Sequence, residues 1–128
     1  MSAEPMKVLA VDDDADTLVY MSTFLEDNGY DVRTADDSRA ALAVLEDYDP
    51  DVIILDVLMP GRSGLDLLVK LRKDPRWRDK KLIMLTGNDK VIQNGGRNYL
   101  AGHGGIRGAD AVLSKPLDKQ ALLDALKG

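Results

Sequence analysis

With 128 residues, the chain has the length of one domain with a sizeable core. Its 45% hydrophobic content is globular and excludes a disordered chain, and the absence of cysteine excludes disulfides and thiolate metal sites. A formal net charge of −5, with basic residues scattered rather than gathered into a stripe, argues against a general nucleic-acid binder.

The first residues, Met-Ser-Ala-Glu-Pro-Met, lack a basic stretch followed by an apolar one. No apolar run approaches the ~20 residues of a membrane span, so neither a secretory signal nor a span is expected, and a cytoplasmic protein is the default.

Met6 to Val11 reads as a buried strand. A helix then starts at Asp16 or Thr17, with Leu18, Met21, Phe24 and Leu25 at helical spacing, and Asn28-Gly29 stops it. Asp31 to Ala35 alternates as a short strand does. Ser38 is expected to cap a second helix carrying Ala41, Leu42 and Leu45, which Asp49-Pro50 breaks. Val52 to Leu55 is a continuous apolar run, as in a central strand covered on both faces.

Pro60-Gly61 and Gly64 predict a turn. Leu65 to Leu71 then gives a third helix, ended near Asp74-Pro75. Lys81 to Thr86 and Ala111 to Ser114 are the fourth and fifth strands, and Leu117 to Leu126 is an amphipathic helix with Leu122, Leu123 and Leu126 on one face. Between the last two strands, Gly87 to Gly108 holds seven of the eleven glycines. A short or broken helix from Asp89 and a further turn at Asn98 to Ala101 are expected there. Alternating strands and helices predict a parallel α/β sheet with helices on both faces, whose ligands bind beyond the carboxyl ends of the strands.

At those ends stand the residues that carry chemistry. Asp12 and Asp13 follow the first strand, Asp56 ends the third, Thr86 ends the fourth and Lys115 follows the fifth. Carboxylates crowded at one sheet edge repel and need a cation, and hard oxygen ligands with room for water suit Mg²⁺, with Mn²⁺ as a substitute. A metal-bound carboxylate beside a hydroxyl and an ammonium can accept and hold a phosphoryl group. Asp14 reads as a solvated neighbour and His103, among glycines, as a solvated loop residue. Trp77 reads as a half-buried loop aromatic, with a small docking patch in Arg76 to Lys81 as the alternative.

Val-Asp-Asp-Asp (11–14), Leu-Asp-Val-Leu-Met-Pro-Gly-Arg-Ser-Gly (55–64), Met-Leu-Thr-Gly (84–87), Gly-Ala-Asp (108–110) and Ser-Lys-Pro-Leu (114–117) resemble, in this order, the receiver domains of two-component response regulators. The likeness runs from about Met6 to Leu126, so residues 1–128 are expected to be a single stand-alone, chemotaxis-regulator-like receiver. It implies a flavodoxin-like sheet of order 2-1-3-4-5 and a signalling switch rather than an enzyme. It implies that Asp56 accepts a phosphoryl group from a histidine kinase or phosphotransfer protein. Asp13, Asp56 and the backbone carbonyl of Leu58 would ligate Mg²⁺, with Asp12 acting through water. Lys115 would pair with Asp56 and then with phosphoryl oxygens, Thr86 would swing onto one of them, and the bond before Pro116 is a candidate cis peptide. The output protein is not indicated, and the state expected is a monomer or a phosphorylation-dependent dimer, without nucleic acid or membrane.

The chain departs from that pattern in three places. Val112 stands where receivers carry Tyr or Phe. The stretch from Thr86 to Lys115 is longer than usual, and its extra residues fall where receivers place their fourth helix, which is therefore expected to be short or remodelled. Leu58 and Asn88 occupy positions that flank the attacking water, and Leu58, offering no hydrogen bond, is expected to slow hydrolysis. A metal-dependent phosphatase would need an acid where Leu58 stands. A pseudo-receiver, binding partners without phosphorylation, is the remaining alternative, kept open by Val112 and the glycine-rich stretch.

Overall fold

A computed structural model describes residues 6–56, 63–86, 109–114 and 118–127. Along the chain these form β1 (Lys7–Val11), α1 (Ala15–Asp27), β2 (Asp31–Ala35), α2 (Ser38–Asp47), β3 (Val52–Asp56), α3 (Ser63–Lys73), β4 (Lys81–Thr86), β5 (Ala111–Ser114) and α4 (Lys119–Lys127). All pairings are parallel and the order is β2-β1-β3-β4-β5, as expected.

The period of two along each strand divides the core between the faces of the sheet. Leu9, Val11, Ile53, Leu55, Leu82 and Met84 meet Ala41 and Leu45 of α2 and Leu67, Leu68 and Leu71 of α3. Val8, Ala10, Val52, Ile54, Ile83 and Leu85 meet Leu18, Met21 and Leu25 of α1 and Leu122 and Leu126 of α4. Every residue of β3 is buried, which is why that strand is an unbroken apolar run up to its terminal aspartate. No helix among the described residues is long and apolar enough to cross a membrane.

The helix starts differ from expectation. α1 begins at Ala15, with Asp14 as its cap: Asp14 accepts from the Asp16 N–H at 3.0 Å and from Thr17 Oγ1 at 2.9 Å. α2 is capped by Asp37 rather than Ser38, through a 2.7 Å bond from the Ala40 N–H. α4 begins at Lys119 rather than Leu117, with Asp118 accepting from the Gln120 N–H at 2.9 Å. In each case a carboxylate takes the orphan amides of the first turn and opposes the positive end of the helix dipole. α3 begins at Ser63, so Gly64 lies in its first turn rather than in a connecting turn.

α1 stops where the sequence says. Gly29 adopts φ 89°, Tyr30 N–H donates to Leu25 O at 3.0 Å and Gly29 N–H to Glu26 O at 3.1 Å. This is a Schellman closure, and a left-handed residue without a Cβ permits it. Trp77 is buried (6% exposed), not half-buried: it joins the α2–α3 core, with the Arg76 guanidinium 4.1 Å above its ring. Leu123 is only partly buried beside the fully covered Leu122 and Leu126.

Candidate metal centre

Parallel register brings the acids together. Val11 pairs with Leu55, so Asp12, one step beyond β1, comes level with Asp56, the last residue of β3. The Asp12 N–H donates to Ala35 O at 3.1 Å, which carries the β1–β2 ladder one residue past the strand and fixes where the chain turns. Asp12 is 0% and Asp56 2% exposed, while Asp13 is exposed. One carboxylate oxygen from each of Asp12, Asp13 and Asp56 lies within 4.8 Å of the others.

This donor set fits one hard cation. Mg²⁺ takes oxygens at about 2.0–2.1 Å in an octahedron, so ligand oxygens stand roughly 3–4 Å apart, and small rotations close the observed spacing. The exposed Asp13 leaves the solvent side open for the waters that Mg²⁺ keeps. Carboxylates held this close repel one another, which is a second reason for a cation here.

Asp14, expected to be a solvated neighbour, is exposed and has two further tasks. Besides capping α1, its backbone N–H donates to Asp12 Oδ1 at 2.9 Å and fixes the orientation of that carboxylate. The spacing Asp14-x-x-Thr17 is the sequence signal for the cap. Thr86 ends β4, one residue beyond the Leu85 that pairs with Asp56, and its own register partner is Ser114. Val112 lies opposite Met84 and packs, partly buried, against the α2–α3 core. Leu58, Pro60, Gly61, Asn88, His103, Lys115, Pro116 and the expected broken helix of 87–108 lie outside the described residues.

A pair that the sequence reading missed lies at the opposite end of the sheet. Arg72, on α3, reaches Asp110, just ahead of β5, with Nη2 3.1 Å from Oδ2. Asp110 stands in the Gly-Ala-Asp motif, but nothing local marks Arg72 as its partner, because the two are 38 positions apart.

The family profile described as "Response regulator receiver domain" matches residues 8–127. Among curated proteins, the chain is 35% identical over 124 residues to the phosphate regulon transcriptional regulatory protein PhoB of Pseudomonas aeruginosa, covering 94% of this chain and 49% of that protein. It is 30% identical over 125 residues to protein PilG of the same species, covering 98% of this chain and 87% of that one. The chain thus spans about half the length of the phosphate-regulon protein. Among solved structures, chemotaxis response regulator CheY4 of Vibrio cholerae superposes with a TM-score of 0.80 at 33% identity, covering 96% of this chain and 97% of that one. A putative response regulator from Chloroflexus aurantiacus gives a TM-score of 0.82 at 32% identity, covering 96% and 95%. Taken with the strand order and the acids at the sheet edge, these matches show that the chain belongs to the response regulator receiver domains of two-component signalling, with their flavodoxin-like fold.

Proposed function

We propose that Asp56 is the phosphoacceptor of this receiver and that Asp12, Asp13 and Asp56 hold Mg²⁺ while it is loaded. The observation that carries this reading is the gathering of the three carboxylates, two of them buried, at one end of the parallel sheet. An Asp56 oxygen forms a bond to phosphorus as the P–N bond of a donor phosphohistidine breaks, leaving an acyl phosphate on Asp56 and a neutral imidazole on the donor once its nitrogen takes a proton. Bound Mg²⁺ supplies positive charge to the phosphoryl oxygens, which otherwise repel an attacking carboxylate.

The chain's own residues do the rest. Burial of Asp56 keeps bulk water from the acceptor, and the Asp14 N–H holds Asp12 in place. In this reading Lys115, the residue after β5, neutralises phosphoryl oxygens, and Thr86 at the end of β4 donates to one of them. Val112 offers no ring to rotate with Thr86, so the response to phosphorylation travels without a threonine–aromatic pair. The Leu58 carbonyl as third protein ligand, a cis bond before Pro116, a cytoplasmic histidine kinase or phosphotransfer protein as donor, and an output protein that binds the phosphorylated form belong to the same proposal.

The test is phosphoryl incorporation from a small acyl-phosphate donor, read by intact mass on the parent and on Asp56→Asn. A gain of about 80 Da that needs both Mg²⁺ and Asp56 is the expected result. With neither a gain nor a beryllofluoride-induced change in the parent, the phosphorylation-independent pseudo-receiver replaces this reading.

A further inference from the structure

Like β1, β3 and β4, β5 is apolar on both faces, so its own residues specify its register only weakly. Ala111 and Leu113 pack on the α1–α4 side of the sheet and Val112 on the α2–α3 side. With both faces apolar, a slip by one residue exchanges apolar for apolar, and the alternation that normally fixes register carries no information. The preceding stretch, 87–108, holds seven of the chain's eleven glycines.

Asp110 supplies what the pattern lacks. Its N–H donates to Leu82 O and its Oδ2 accepts from Leu82 N–H, both at 2.8 Å, so it grips one β4 residue by both backbone groups. The same Oδ2 accepts from Arg72 Nη2 at 3.1 Å. The Arg72 side chain is 2% exposed, and its Nη1 donates to the carbonyls of Arg78 and Lys80, each at 2.8 Å. One buried guanidinium thus ties α3 and the turn into β4 to the residue that introduces β5. A slipped strand would withdraw the carboxylate from Leu82 and leave that guanidinium facing the wrong residue.

We propose that Arg72 and Asp110 are positioning residues that lock β5 in register on β4 and thereby deliver Lys115, the residue after β5, to the acid end of the sheet. The proposal rests on the role given to Lys115 above. A one-residue slip moves a strand end by about 3.3 Å and turns it to the other face. Displacement of a reacting group by about 1 Å already costs on the order of a hundred-fold in rate.

A double-mutant cycle tests the lock on the full chain. Asp110→Ala is expected to slow phosphoryl uptake from an acyl-phosphate donor by about ten-fold or more, while Mg²⁺ affinity, set by β1 and β3, stays within about two-fold. In a Lys115→Ala background the same substitution is expected to add less than about two-fold, because the route through Lys115 is already gone. An equal loss in both backgrounds, or no loss in the parent background, overturns the proposal. Should Asp110→Ala not fold, Asp110→Asn keeps an acceptor for Leu82 N–H and loses only the charge facing Arg72. The same cycle is then read, with a smaller first loss. A parent that takes up no phosphoryl group defeats the reading of Asp56 and Lys115 instead. The lock is then judged by hydrogen exchange: faster exchange of the β5 amides than of β1 and β3 in Asp110→Asn supports it, and unchanged exchange ends it.

Discussion

The backbone N–H of Asp14 donates to Oδ1 of Asp12 at 2.9 Å, while the Asp14 carboxylate caps α1. One residue thus ties the start of a helix to the orientation of a buried acid. Asp14→Ala is expected to destabilise the fold by about 1 kcal/mol through the lost cap. It is also expected to weaken Mg²⁺ binding, because a frayed first turn loosens Asp12. Asp14→Asn, which still offers a capping oxygen, should retain most of both properties at physiological salt. Thermal unfolding and Mg²⁺ titration of the two variants side by side would decide; equal Mg²⁺ affinity in Asp14→Ala and the parent would separate the cap from the site.

The acid cluster makes stability depend on the cation. Three carboxylate oxygens within 4.8 Å repel in metal-free buffer, so Asp56→Asn should melt higher than the parent there. Mg²⁺ at about 100 times its Kd is expected to stabilise the parent by about 2.7 kcal/mol and to stabilise Asp56→Asn by much less. Calorimetry with and without chelator reads both. A parent melting temperature indifferent to Mg²⁺ would remove the metal from the proposal.

Tyr48 gives an alkaline signature. Burial, then the nearby Asp31 charge, push its phenol up to about 12 from an ordinary 10.0. Its hydroxyl donates to Asp31 O at 2.9 Å, and Lys7 and Arg33 lie over its ring. The folded state therefore holds this proton more tightly than the unfolded one. The associated stability is present below pH 10 and is lost as pH rises towards 12, with a loss on the order of 1 kcal/mol by pH 11. Urea unfolding at pH 9 and pH 11 should show this increment in the parent and not in Tyr48→Phe, which controls for the lysines that titrate in the same range.

Lifetime of the phosphorylated form should depend on Leu58. If Asp56 carries the phosphoryl group, an amide at position 58 gives the attacking water a hydrogen bond that leucine cannot, and Leu58→Asn is expected to lose the group a few-fold faster. The decay of the mass-shifted species after donor removal measures this, and an unchanged or slower decay would refute the role given to Leu58.

How much of this was legible in the sequence follows from how local each signal is. The apolar runs Val8–Val11, Val52–Leu55 and Leu82–Leu85 announce buried strands because every residue in them is covered. Once parallel pairing is accepted, Asp12, Asp13 and Asp56 must meet, since each stands at the same end of its strand. The caps were less legible: in Asp36-Asp37-Ser38 several neighbours can cap, and only the extended backbone of Asp37 settles which one does. Trp77 looked half-exposed among charged residues, because a sequence does not reveal that its turn folds back onto the α2–α3 core. Asp110 stood in a quoted motif, but its pairing with Arg72, 38 positions away, shows only in the folded sheet.

The grip of Asp110 on Leu82 has a consequence for how such a chain can vary. When the last strand is seated by a fastening at its own threshold, the fold does not need the preceding connection to have any particular length. Closure entropy then charges only about 0.6 kcal/mol for each doubling of that connection. A change in the length of the stretch between Thr86 and Ala109 would therefore leave the carboxylates at Asp12, Asp13 and Asp56 where β1 and β3 place them. The carboxylate end of the sheet is set by where β1 and β3 end, independent of how long the connection into β5 is.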